Sequence, residues 1–113
     1  MPEKTIEQQD IQSLHRVRQR LMKNRTALIN QIRGLGLEYG IAMPESSHKV
    51  AYCLPAHLEN AENELTTLSR QLFQELLFEL KDFQHRLEEL DKRLDHLNAQ
   101  HEDIYMCISH NLI

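Results

Sequence analysis

A chain of 113 residues with 5% aromatic residues, no Trp and 27% charged residues is sized for one domain. It is too poor in large apolar side chains for a broad globular core, and the balance favours long helices or a coiled coil. It contains no run of 18 apolar residues, and its polar start, MPEKTIEQQD, lacks the apolar stretch of a secretory signal, so neither a membrane partner nor secretion is expected.

The formal net charge of -4 hides a division. Residues 11–37 carry six Arg or Lys and no Asp or Glu, whereas residues 59–103 carry five against twelve. A basic and an acidic segment in one short chain attract each other, or each faces a different partner. Cys53 and Cys107 are few and far apart, which fits free thiols in a reducing compartment. The expected location is cytoplasmic.

The first helix is expected over residues 5–39. Thr5 is its N-cap, and Gln8 three residues later completes a capping-box pattern. Leu14, Leu21, Leu28 and Leu35 recur every seven residues, and Ile11, Val17 and Ile32 fall on the same side. Gly40 marks the C-terminus, and Pro44 follows as a stop. Residues 40–54 read as a loop, because the Pro, the Ser pair and the loss of periodicity interrupt the pattern. A short helix is expected over 55–64, with Pro55 at its first position and Leu58 and Ala61 on it.

The last helix is expected over 67–106, capped by Thr66 or Thr67, with a frayed tail at 107–113. Leu76, Leu80, Phe83, Leu87, Leu90, Leu94, Leu97 and Ile104 follow steps of four and three, interrupted by His101. Upstream, Leu65, Leu68, Leu72 and Leu76 shift the register as a stutter does. Phe73, Leu77 and Phe78 widen the apolar face there, as if more than one helix packed against it. The predicted fold is therefore all-α: one domain over residues 1–113, with two long helices in an antiparallel coiled-coil hairpin and a short helix between them. A hairpin this thin has little core of its own, so a homodimer with a four-helix arrangement is expected.

The leucine line is a partner seam or packing within one hairpin, and both bury the same side chains. The cations are more specific. At 100° per residue, Arg16, Arg20 and Lys23 gather opposite the leucines, together with Gln12, Gln19, Thr26 and Asn30. That face is either a plain solvated surface or a contact surface for the phosphate backbone of RNA or DNA, salt-dependent and largely blind to sequence. The stretch holds no aromatic platform for reading single bases. Arg18 and Arg25 flank the apolar line and are expected to pair with Glu of the facing helix.

His15, His48, His57, His85, His96, His101 and His110 show no HxxxH or HExxH pattern and no adjacent Cys pair, so no metal and no cofactor are expected. Glu88–Lys92 and Glu89–Arg93 have the favourable order for surface pairs one helical turn apart. No nucleophile motif or phosphate loop is visible, and no catalytic residue is assigned.

Residues 7–41 contain LHR at 14–16, RTALINQIRGL at 25–35 and EYGI at 38–41. They closely resemble the region that follows the RuvC-like domain in DEDD transposases of bacterial insertion sequences. That family is related to the Piv invertase, and some of its members are guided by a bridge RNA. LPAHLENAENEL at 54–65 is similar to the family's next stretch, and the resemblance extends over roughly residues 3–104.

The resemblance implies a three-part protein: a RuvC-like domain with acidic metal ligands, a coiled coil that helps assembly, and a C-terminal domain with a catalytic serine. This chain matches the middle part. Asp10 does not correspond to an acidic ligand, nor Ser109 to the serine. Gly36 stands where the family has leucine, and the pattern that leads into an Ile-Pro-Gly segment is lost near Met106, as a truncation would leave it. The implied function is a non-catalytic assembly segment involved in DNA transposition. A regulator that forms mixed dimers with a full-length transposase is the alternative.

Overall fold

The computed structural model describes residues 5–111, with side chains described for 5–46 and 48–99. Three helices are present among these residues, α1 (Ile6–Glu38), α2 (Ser47–Glu59) and α3 (Thr67–Asn111), and no strand. None of them is long and apolar enough to cross a membrane. At about 1.5 Å per residue, α3 is about 67 Å long, and the molecule measures 71 × 27 × 19 Å.

Local chemistry sets both ends of α1. The Thr5 hydroxyl accepts from the Gln8 backbone N–H, and the Gln8 side-chain oxygen accepts from the Thr5 N–H, each at 3.2 Å. This is the capping box read from the sequence. At the other end, the Gly40 N–H donates to the Leu37 carbonyl at 3.1 Å and the Ile41 N–H to the Gly36 carbonyl at 2.8 Å. This Schellman pattern needs a left-handed residue, and Gly40 supplies it at φ +75°. Buried Ile41 and Met43 then fold back onto the end of the helix.

The second helix departs from the sequence expectation. Residues 47–54 are helical rather than loop, and Pro55 lies inside α2 rather than at its start. The element ends at Glu59, not 64, and Ala61 is exposed beyond it. Pro55 removes one backbone donor, but Val50 and Leu54, each 0% exposed, anchor the turns before it in the core. Arg70 of α3 caps the far end of α2. Its guanidinium donates to the carbonyls of Leu58 at 2.7 Å and Asn60 at 2.9 Å, and to the Asn63 side chain at 2.6 Å.

Thr66 starts α3: its hydroxyl accepts from the Ser69 N–H at 3.0 Å, and the Ser69 hydroxyl accepts from the Thr66 N–H at 2.8 Å. Ser69 thus does the work Glu or Gln does in the usual box, and it is buried. The helix continues through Asn111, beyond the expected end at 106 and into the expected tail. Residues 112 and 113 lie outside the described residues.

α1 and α3 run antiparallel. Leu21 packs with Leu87 and Leu90, while Leu28 and Ile32 meet Leu77 and Leu80 nearer the turn. Tyr39 meets Phe73 edge to face at 6.1 Å. Of the seam residues, Leu21, Leu28, Leu80, Leu87, Leu90 and Leu94 are buried. Leu14, Leu35, Leu76, Phe83 and Leu97 are half-buried, and the side chain of Ile104 lies outside the described residues. The stutter resolves as a change of line: Ser69, Phe73 and Leu77 turn inward under α2, which leaves Leu68 at 65% and Leu72 at 46% exposure. Phe78, expected in the broadened face, is exposed.

The two helical glycines of α1 behave oppositely. A Cβ on Gly36 would lie 2.5 Å from Met43 Cε and 3.0 Å from the Ile41 carbonyl oxygen, whereas one on Gly34 meets nothing within 4 Å. Gly36 is therefore what lets the chain fold back so closely here. Gly36→Leu, the residue expected from the family pattern, should lower stability by about 1–3 kcal/mol through overpacking. Gly34→Ala should raise it by about 0.5–1 kcal/mol. Urea unfolding followed by circular dichroism checks both signs, and equal shifts in one direction would contradict the packing described.

Candidate nucleic-acid interface

The antiparallel register divides the six cations of α1. Arg18 is held: its Nε donates to Asp91 Oδ1 at 2.6 Å across the hairpin, and its Nη1 contacts Met22 Sδ at 2.9 Å. Arg33 is turned to the loop, with Nε toward the Met43 carbonyl at 3.4 Å and Nη2 3.8 Å from the Glu45 carboxylate. Arg25 is half-buried in the seam. The expectation that Arg18 and Arg25 pair with Glu is corrected on both counts. Arg18 takes Asp91, and Arg25 Nε has no acceptor among the described residues.

Arg16, Arg20 and Lys23 remain. All three are exposed, and none has an ion-pair partner among the described residues. Spaced by four and three residues, they rise about 6 Å and then about 4.5 Å along one side of α1. Gln19 and Asn30 share that exposed side. Thr26 does too, but its hydroxyl donates to the Met22 carbonyl at 3.0 Å, so its proton is already used within the helix. With no Asp or Glu between residues 11 and 37, no carboxylate within that stretch of the helix repels a phosphate.

The acidic helix is arranged differently from the sequence pattern. Glu89 faces His85 Nε2 at 3.3 Å, and neither Glu88–Lys92 nor Glu89–Arg93 closes as an ion pair. Helix order favours a Glu one turn before a Lys or Arg, but an imidazole one turn back is equally within reach of the carboxylate. An open groove of about 210 Å³ lies between α1 and α3, floored by Val17, Leu21 and Leu90 and rimmed by Arg86, Glu89 and Arg93. The sequence pattern gave no sign of that groove, since it depends on how the two helices are aligned. Among the described residues, no group of three His, Cys, Asp or Glu side chains is placed to hold a metal ion. His101 and His110 lie outside the described side chains.

Comparison with known proteins places the chain beside transposases. It is 37% identical over 100 residues to the transposase for insertion sequence element IS1111A of Coxiella burnetii, a match covering 88% of this chain and 28% of that protein. It is 35% identical over 95 residues to a protein of Pseudomonas aeruginosa named "Probable family 20 transposase", covering 83% of this chain and 28% of the other. No family model matches, and no solved structure matches. The chain spans less than a third of the length of these curated relatives, and over that span it is similar to one segment of each transposase.

Proposed function

We propose that this chain is a non-catalytic, helical assembly segment of an insertion-sequence transposase of the DEDD type, and that α1 contacts the backbone of nucleic acid through Arg16, Arg20 and Lys23. The observation that carries the contact is the division of cations. The hairpin engages Arg18 and Arg33 and leaves those three exposed on one side of a helix segment without carboxylates. Such a surface binds phosphates by releasing counterions, with little reading of sequence. The similarity to transposases supplies the setting, DNA transposition.

Assembly rests on a different surface. Exposed Leu68 and Leu72 and half-buried Leu76 form an apolar line beside the buried one, and the groove rimmed by Arg86, Glu89 and Arg93 lies farther along α3. The occupant proposed is a second copy of the chain, whose matching line would complete a four-helix arrangement. Rim charges of both signs, from Arg86, Glu89 and Arg93, suit a self-complementary contact. A full-length transposase carrying the same segment would offer the same line, so regulation through mixed dimers is the second reading.

Binding to a short RNA or DNA duplex, followed by fluorescence anisotropy at several salt concentrations, tests the contact. The Arg16→Glu/Arg20→Glu/Lys23→Glu variant should keep its helicity and bind about tenfold or more weakly at low salt. Its salt dependence should flatten by about one counterion per lost contact. Equal affinity in variant and parent would sink the reading.

Light scattering behind size exclusion tests assembly. The parent should elute at twice the 13.4 kDa chain mass, and Leu72→Glu should elute as a folded monomer. A monomeric parent at high concentration rules out the dimer, and a mixed complex with a co-expressed transposase would favour the second reading.

A further inference from the structure

The hairpin has two apolar clusters rather than one. The larger joins Leu28 and Ile32 of α1, Val50 and Leu54 of α2, and Phe73 and Leu77 of α3. The smaller consists of buried Leu21, Leu87 and Leu90, with Leu14 and Met22 packed against it. Half-buried Phe83 touches both clusters. Three helices enclose the first, whereas two enclose the second, so far less apolar surface holds the stem than the head.

A polar layer separates them. Arg25 Nε and Gln84 Nε2 are each shut off from solvent with no acceptor among the described residues, and the register sets their positions opposite each other. Arg18 pairs with Asp91, and seven residues further along α1 and seven back along α3 stand Arg25 and Gln84. Where the stem has a cation against a carboxylate, this layer has a cation against a neutral amide, with one buried donor on each side unpaired. Buried donors left without acceptors are destabilising, so the seam is weakest at this point.

We infer that the hairpin is a two-part device. The head, built on α2 and the turn, stays closed, and the stem, residues 6–24 with 85–99, opens as one unit at the Arg25–Gln84 layer. Opening separates Leu21 from Leu87 and Leu90 and breaks the Arg18–Asp91 pair, while the head core is untouched. Nucleic-acid binding plays no part in this inference.

Native-state hydrogen exchange on the full chain tests it. Stem amides in both helices should exchange together, with protection at least about tenfold below that of residues 28–36 and 70–80. Gln84→Glu sets a carboxylate in place of the neutral amide opposite Arg25 and should raise stem protection several-fold with the head unchanged. The Arg25→Leu/Gln84→Leu pair, which joins the two clusters, should do the same. Equal protection of stem and head in the parent overturns the inference. So does a stem that opens early in the parent and is unchanged by both variants, because the layer would then not be the hinge.

Discussion

The alignment of α1 against α3 decides nearly everything else in this molecule. It is fixed by apolar contacts at both ends of the hairpin, Leu21 with Leu87 and Leu90, and Ile32 with Leu77. Once fixed, it sets Arg18 on Asp91, buries the Arg25 Nε without an acceptor among the described residues, and leaves Arg16, Arg20 and Lys23 outside. A slip by one helical turn would carry Arg18 away from its carboxylate and bring apolar side chains against polar ones. The ion pair itself is half-exposed, so it contributes modestly to stability. Its larger effect is on specificity, since misaligned pairings leave a cation facing leucines.

The turn end solves the weakness of a two-helix core. Two long helices bury only a stripe each, and α2 laid across them turns a stripe into a closed cluster. That requires the chain to reverse sharply after α1, approach the helix end closely, and return. Gly40 permits the left-handed step, Gly36 permits Met43 and the Ile41 carbonyl to come near, and Arg70 ties the last carbonyls of α2 to α3. In this light Gly36, a poor helix former, is a packing requirement of this chain. Its cost in helix propensity is offset by the burial of Ile41 and Met43.

Much of this was legible in the residues, and the parts that were not share a cause. The ends of α1 could be read because Thr5, Gln8 and Gly40 act through bonds to their own neighbours. The two long seams could be read because period alone identifies them. The start of α2 is hidden by Pro55, which suits a helix's first position, although Val50, Cys53, Leu54 and Leu58 repeat at helical spacing before and across it. The exposure of Arg16, Arg20 and Lys23 follows from helical spacing, but the surroundings of Arg18 and Arg25 do not. Those surroundings depend on residues more than fifty positions away, and on a register that no single helix encodes. Ser69 in the role of Glu or Gln, and Glu89 turned to His85, are substitutions of one hydrogen-bonding group for another that motif patterns do not list.

The charge division acquires a physical meaning from the same geometry. A basic and an acidic helix packed side by side could neutralise each other along their whole length, and then neither would present a field to a partner. Here one ion pair crosses between α1 and α3 among the described residues. Apart from that pair, Arg25 in the seam, Arg33 at the loop and Arg70 at the end of α2, the other charged side chains of α1 and of α3 up to residue 99 are exposed, because the seam is filled mostly by leucines. The apolar core thereby keeps the two charge populations apart, with the exposed cations of α1 on a helix that carries no acid from residue 11 to 37. At physiological salt, charges more than about 8 Å apart are largely screened. A polyanion approaching the outer side of α1 therefore meets the nearby cations more strongly than the acidic helix behind them. The chain's net charge of -4 is consequently a poor guide to what this face attracts.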